Sequence, residues 1–216
     1  MGLFNKNKDN NTAGLDNLLN VRNNKDLFKA LTFLQNDITV GFNTKVIAVT
    51  SLDNDNLAAA FAKAFSDVYS ANNSSCLIID ANLYDPCLNK VLSNNRTDGS
   101  MFIEVRDTSS ISGGARTGFS FNRNKTISMD RSIYPSDVYK NKGVHQIVND
   151  NINLYDRIII LVPSIKKHKE IALLSDIIGS VLLITQRNVS KKEDIFNAIQ
   201  FCQENKLPLA KTIVVK

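Results

Sequence analysis

Five short runs of apolar, largely β-branched residues recur along this chain: Lys45–Thr50, Cys76–Asp80, Arg157–Val162, Val181–Ile184 and Ile213–Val215. Within each run the apolar residues are continuous rather than alternating. A strand with one face in water alternates, whereas a strand covered on both faces does not. Stretches with helical spacing follow most of the runs. Leu27, Phe28, Leu31 and Leu34 mark one face of a helix from Lys25 to about Asn36, ahead of the first run. Asn54 or Asp55 can cap a second helix that ends near Ala71 and carries a small-residue face at Ala58, Ala59 and Ala62. Further helices are expected from Ser136 to Asn149, from Lys167 to Ile178, and after Ser190, where Glu193 completes a capping-box spacing. Pro86 suits the first position of a short helix, and a weak strand is expected over Thr126–Met129.

This alternation predicts an α/β fold: a mostly parallel central sheet with helices on both faces, in three α/β/α layers. In such sheets ligands bind beyond the carboxyl ends of the strands. The loops after Thr50, Asp80 and Val162 are therefore where chemistry would sit. Residues 1–24 are rich in Asn, Lys and Asp and are expected to form a disordered tail, with 25–216 a single domain. Leu15, Leu18 and Leu19 could make a short docking helix within that tail or an ordinary turn. Residues 93–125 are polar, with a Gly113-Gly114 turn, and their role is open.

The net charge of +5 is small and mixed in sign, which suits a solvated surface and gives no reason to expect nucleic acid as a partner. Arg116, Arg123, Lys125 and Arg131, near Phe119 and Phe121, read as a basic loop. Cys76, Cys87 and Cys202 are dispersed and form no CxxC pair, so neither a zinc site nor a disulfide framework is expected. His145 and His168 lack neighbours at metal-ligand spacing. Lys166-Lys167-His168-Lys169 is a local basic cluster that could meet anionic lipid or simply start a solvated helix. No apolar stretch reaches the roughly 18–20 residues that span a bilayer.

At the three carboxyl-end loops the sequence resembles the bacterial tyrosine autokinases of capsule and exopolysaccharide biosynthesis, relatives of the partition and septum-site ATPases. Leu77-Ile78-Ile79-Asp80-Ala81-Asn82-Leu83-Tyr84-Asp85-Pro86 is similar to that family's LLIDADLRRP. Lys45-Val46-Ile47-Ala48-Val49-Thr50-Ser51 is similar to the strand entering its P-loop. Tyr155-Asp156-Arg157-Ile158-Ile159-Ile160-Leu161-Val162-Pro163-Ser164 is similar to YDYVIIDTPP. The resemblance implies a P-loop NTPase-like domain.

The sequence departs from the family where nucleotide would be held. A working P-loop, GxxxxGK[ST], closes backbone N–H groups around phosphate, sends a Lys to the β/γ-phosphates and offers a hydroxyl to magnesium. Here Thr50-Ser51 runs into Leu52-Asp53-Asn54-Asp55-Asn56, without Gly or Lys. If Ala59–Ala62 matches the family's next helix, the loop is about four residues shorter. Asp53 and Asp55 would repel a triphosphate; as structural residues they would form the turn and cap the helix. Leu161 stands where the acid of the Walker B strand is expected, and should pack instead. Asp80 keeps the first acid of the second motif while Asn82 replaces its partner. Asp80 could act as a residual base, or cap local N–H groups.

Thr50, Ser51, Asp53, Asn54, Asp55, Asn56, Asp80, Asn82 and Leu161 thus outline a vestigial nucleotide pocket, with no cofactor, metal or catalytic residue expected. The kinases' ExxRxxR helix aligns with Asp26, Lys29 and Thr32, an interface for a homo-oligomer or an exposed helix face. No Tyr follows Tyr155, so the kinases' terminal tyrosine cluster is not matched.

By this resemblance the chain is expected to be a catalytically inactive pseudokinase. It would regulate or scaffold polysaccharide synthesis beside a membrane co-polymerase tail or an active kinase paralogue, in the cytoplasm and peripherally at the inner membrane face. The alternatives are an active tyrosine autokinase with a rearranged site and Asp80 as base, and a positioning protein of the partition or septum-site type.

Overall fold

A computed structural model describes residues 14–92, 102–107, 125–128, 135–140 and 143–215. Seven strands form one sheet: β1 (Val46–Ser51), β2 (Cys76–Asp80), β3 (Phe102–Asp107), β4 (Lys125–Ser128), β5 (Arg157–Leu161), β6 (Ser180–Gln186) and β7 (Leu209–Val215), in the order β4-β3-β2-β5-β1-β6-β7. The five strands from β2 to β7 are parallel, whereas β3 runs antiparallel to β2 and to β4. The fold is the expected P-loop NTPase-like α/β arrangement.

The apolar runs of β1, β2, β5 and β6 behave as expected of strands covered on both sides, whereas Ile213–Val215 lies in the edge strand β7, where Val214 is exposed. In β1, Val46 and Ala48 join the core on one face of the sheet, and Ile47 and Val49 join the core on the other. All four are essentially inaccessible. Full burial of each large aliphatic side chain contributes about 1.5–3 kcal/mol.

One face is covered by α1 (Lys25–Phe42) and α2 (Asp55–Ala71). Ala58, Ala59, Ala60, Ala62 and Ala64 are all buried, so α2 can lie close against the strands. The other face is covered by α4 (Pro135–Lys140), α5 (Gly143–Asn151), a 3-10 turn (Glu170–Leu174) and α6 (Lys192–Glu204). A short helix, α3 (Leu88–Leu92), follows the β2 loop.

Several expectations shift. Residues 14–24, assigned to the tail by composition, include a helical segment over 14–19 and a 3-10 turn (Val21–Asn23). Leu18 and Val21 are buried beside α1. A short helix was one of the two readings open for Leu15, Leu18 and Leu19, and it is the one that forms.

Helix α1 runs past Asn36 to Phe42 and stops at Asn43, whose left-handed conformation (φ 42°) suits an asparagine at a helix end. The helix expected over Lys167–Ile178 is a set of turns around the short 3-10 segment. Pro86 precedes α3 by two residues instead of opening it. Strand β3 lies within a stretch read as loop. The Gly113-Gly114 turn and the basic residues Arg116, Arg123 and Arg131 fall outside the described residues.

Candidate functional site

The carboxyl ends of β1, β2 and β5 lie side by side, because β5 pairs with both neighbours in parallel register. Their loops come together there, and most of the residues singled out in them meet.

The turn after β1 is pinned from both flanks. The Leu52 amide donates to the Ile184 carbonyl (3.1 Å), and Ser164 Oγ donates to the Leu52 carbonyl (2.6 Å). The Leu52 side chain is fully buried. Thr50 Oγ1 donates to the Pro163 carbonyl (2.8 Å) and accepts from the Ile165 amide (3.1 Å), locking the β1 turn to the β5 loop.

Asn54 caps α2, its Oδ1 accepting from the Leu57 amide at 3.2 Å. Asp53 and Asp55 do not cap. Asp55 accepts from Ser51 Oγ at 2.6 Å with one oxygen and from Asn82 Nδ2 at 3.2 Å with the other. It therefore joins the β1 turn to the β2 turn. Asp53 accepts from Ser190 Oγ at 2.6 Å and faces Lys166 Nζ at 3.6 Å, and Lys166 also donates to Asp194 at 2.7 Å.

The Ser190 hydroxyl is thus directed at Asp53 and at the Gln186 amide, so the expected capping box does not form. The N-cap of α6 is Lys191, without a side-chain cap. Asn56 points to solvent and takes no part.

Asp80 is buried at the end of β2 and is committed to the backbone. One oxygen accepts from the Asn82 amide (3.0 Å), the other from the amides of Cys87 (2.9 Å) and Leu88 (2.8 Å). Asn82 Oδ1 in turn accepts from the Asp85 amide (3.2 Å). Asp80 thus wraps the loop into a closed turn. Cys87 Sγ lies 3.4 Å from the Asp55 carbonyl, and its thiol pKa is raised, chiefly by burial and then by Asp80 and Asp55 nearby. It behaves as a packed thiol rather than a thiolate. Leu161 is fully buried in the core beneath α1 and α2, as expected for a packing residue.

Around the rim, Tyr84 stacks on His168 (ring centroids 3.8 Å apart) and its hydroxyl donates to Glu170. Burial and the adjacent carboxylate push its pKa up to about 12. The buried Tyr139 hydroxyl donates to the Ala81 carbonyl. Of the basic cluster, Lys169 donates to the Ile165 carbonyl and lies over the Phe201 ring (4.4 Å), so two of its three lysines are engaged within the domain. His145 bonds Asp176 (3.0 Å) on another part of the surface.

The interface residues separate: Asp26 and Lys29 are exposed on α1, while Thr32 is half-buried and donates to its own helix at the Phe28 carbonyl. Sequence reasoning missed Ser164, Ser190 and Tyr139. Each acts on a residue far along the chain, so no local spacing marks it.

A P-loop fold implies a nucleotide with magnesium, and the residues here do not fit one. The β1 turn has no glycine and no lysine. The Leu52 and Leu57 amides are already used, and the turn carries carboxylates at 53 and 55. Asp80 directs its lone pairs to three amides. Among the described residues no three His, Cys, Asp or Glu side chains converge as a metal site.

This architecture is a P-loop NTPase-like α/β fold. It is similar to the kinase domain of the Escherichia coli tyrosine kinase ETK (TM-score 0.66, 13% identity, 88% of this chain and 75% of that one). It is also similar to the VpsO kinase domain (TM-score 0.62, 15% identity, 88% and 94%) and to the BceF tyrosine kinase domain (TM-score 0.58, 16% identity, 87% and 74%). No protein-family model matches the sequence, and no curated protein sequence matches it. At these identities the likeness establishes the fold. Among the described residues no helix is long and apolar enough to cross a membrane.

Proposed function

We propose that this chain is a degenerate member of the bacterial tyrosine autokinase family, without catalysis of its own. It would act as a regulatory or scaffolding partner in capsular or exopolysaccharide biosynthesis. The observation that carries the reading is the β1 turn. Its carboxylate at Asp55 is bonded to Ser51 and Asn82, and its backbone is fastened to β6 and the β5 loop.

Phosphoryl transfer depends on positioning and on charge stabilisation by metal and lysine. Those parts act together, so losing the cradle, the lysine and one acid removes turnover rather than trimming it. The fold shared with tyrosine kinase domains supports the family, and it suggests partners of matching kind. These are the cytoplasmic tail of a membrane polysaccharide co-polymerase or an active kinase paralogue. Contact with the membrane would then be indirect, through the partner at its inner face.

Calorimetry with ATP and magnesium tests the reading: no heat of binding is expected at micromolar protein. Incubation with labelled ATP should leave Tyr69, Tyr84, Tyr134, Tyr139 and Tyr155 unlabelled. Micromolar affinity with phosphate on any of them would overturn it.

A further inference from the structure

Strand β7 ends one side of the sheet, and among the described residues no strand pairs with its outer side. Along a strand, successive residues turn their backbone groups to opposite sides. The Arg187 amide donates to the Val215 carbonyl (2.9 Å), so the backbone groups of Val215 face β6, and by alternation so do those of Ile213. The N–H and C=O groups of Thr212 and Val214 therefore point away from the sheet.

A row of open groups like this is ordinarily guarded by a bulge, a proline or a lysine. Here the register with β6 shifts only at the start of the strand, between Val181 and Leu182. No proline occurs from 209 to 215. Lys211 is drawn back to Asp37 of α1 at 2.7 Å. The second half of β7 is left unguarded, and Val214, which carries one of the outward pairs, is 60% exposed.

The charges around this edge lean to one sign. Arg187 stands at the far end of β7 and Lys206 in the turn that leads into it, and both are exposed. Over the β6–α6–β7 unit, Asp194 is held by Lys166, and Lys211 is taken up by Asp37. That leaves Arg187, Lys191, Lys192 and Lys206 against Glu193 and Glu204, with no ion pair at the four cations among the described residues. A second copy of the chain would set these cations against their own kind, so charge disfavours pairing of β7 with β7.

We infer that the outer edge of β7 is a docking site for an extended acidic segment of another protein, which joins the sheet as a further strand. Hydrogen bonds to Thr212 and Val214 hold the incoming backbone. The exposed Val214 side chain meets an apolar neighbour across the pair, and Arg187 and Lys206 select acidic residues toward its ends. The edge would dock such a segment whether or not the loops after β1 and β2 bind nucleotide.

The test is fluorescence anisotropy of the full chain with a labelled peptide in which glutamate alternates with valine and threonine, matched in length to β7. Saturable binding that weakens with added salt is expected, together with slowed amide exchange at Thr212 and Val214. The same peptide with lysine for glutamate should bind at least about tenfold more weakly. Val214→Pro removes an outward N–H and no bond to β6, a change that an edge strand tolerates. It should abolish binding while the chain keeps its melting behaviour. Should that variant unfold, Arg187→Glu combined with Lys206→Glu, both at exposed positions, should still lower affinity at least about tenfold. No saturable binding, equal affinity for the lysine peptide, or unprotected amides at 212 and 214 would each overturn the inference. So would sedimentation that shows the chain self-associating and becoming monomeric in Val214→Pro, since the occupant would then be a second copy.

Discussion

The turns after β1 and β2 sit at the same end of the sheet, two strands apart, and are tied together by the Asp55–Asn82 hydrogen bond. They differ in what their acids do. In the β2 turn, Asp80 stands where the kinase-like motif has an acid, and it holds three backbone amides. In the β1 turn the glycines and lysine of a P-loop are missing, and the acids at 53 and 55 reach across to Ser190, Ser51 and Asn82. An acid that also organises its own loop can persist after nucleotide chemistry is gone. Groups whose only partner is a phosphate have no such second role.

Four experiments can break or sharpen that contrast. The largest effect is expected at Asp80. Replacing it with Ala strands three amides and should cost about 3–5 kcal/mol in urea unfolding. Asp80→Asn, which keeps one acceptor oxygen, should cost less. A loss under about 1 kcal/mol for Asp80→Ala would mean that Asp80 is not the organiser of its turn.

Thr50→Val comes next, at about 2 kcal/mol, because the Ile165 amide and Pro163 carbonyl lose their buried partner. Asn54→Ala removes a helix cap and should cost ~1 kcal/mol, measured the same way.

The smallest effect is a pH dependence at the opposite end of the sheet. There Asp156 accepts from the Ser75 amide and hydroxyl, both at 2.8 Å, and these bonds lower its pKa. A lowered folded value means that this contribution is complete above the ordinary carboxylate pKa and is lost as pH falls through the folded one. Asp156→Asn should therefore flatten the fall in stability below about pH 4.

Much of this was legible in the sequence where structure is local. The continuous apolar runs located four of the parallel strands to within a residue or two, Cys76–Asp80 at both ends, while β7 begins four residues before the run Ile213–Val215. The cap at Asn54 and the packing of Leu161 followed from residue type at a known place in a strand or turn. For Asp80, the capping role was one of two readings kept open, and it is the one the geometry shows.

What escaped was set by distant partners. Ser190 looked like half of a capping box because Glu193 follows at the right spacing, yet its hydroxyl serves an acid 137 positions earlier. Strand β3 is recruited by antiparallel pairing with β2, from residues whose own pattern reads as loop. Residues 167–178 carry helical spacing, but the chain there forms turns around a 3-10 segment, with Lys166 bonded to Asp194 and Lys169 to the Ile165 carbonyl.

The Ser51–Asp55–Asn82 bridge has a consequence for timing. Loops that grip a terminal phosphate change shape when it leaves, and that change gives an NTPase its clock. Here the cross-braces are covalently part of the chain, so on the proposed reading nothing departs and nothing resets. A protein docking near these loops would meet the same contour on every encounter, and any rhythm in the assembly would have to come from the other component.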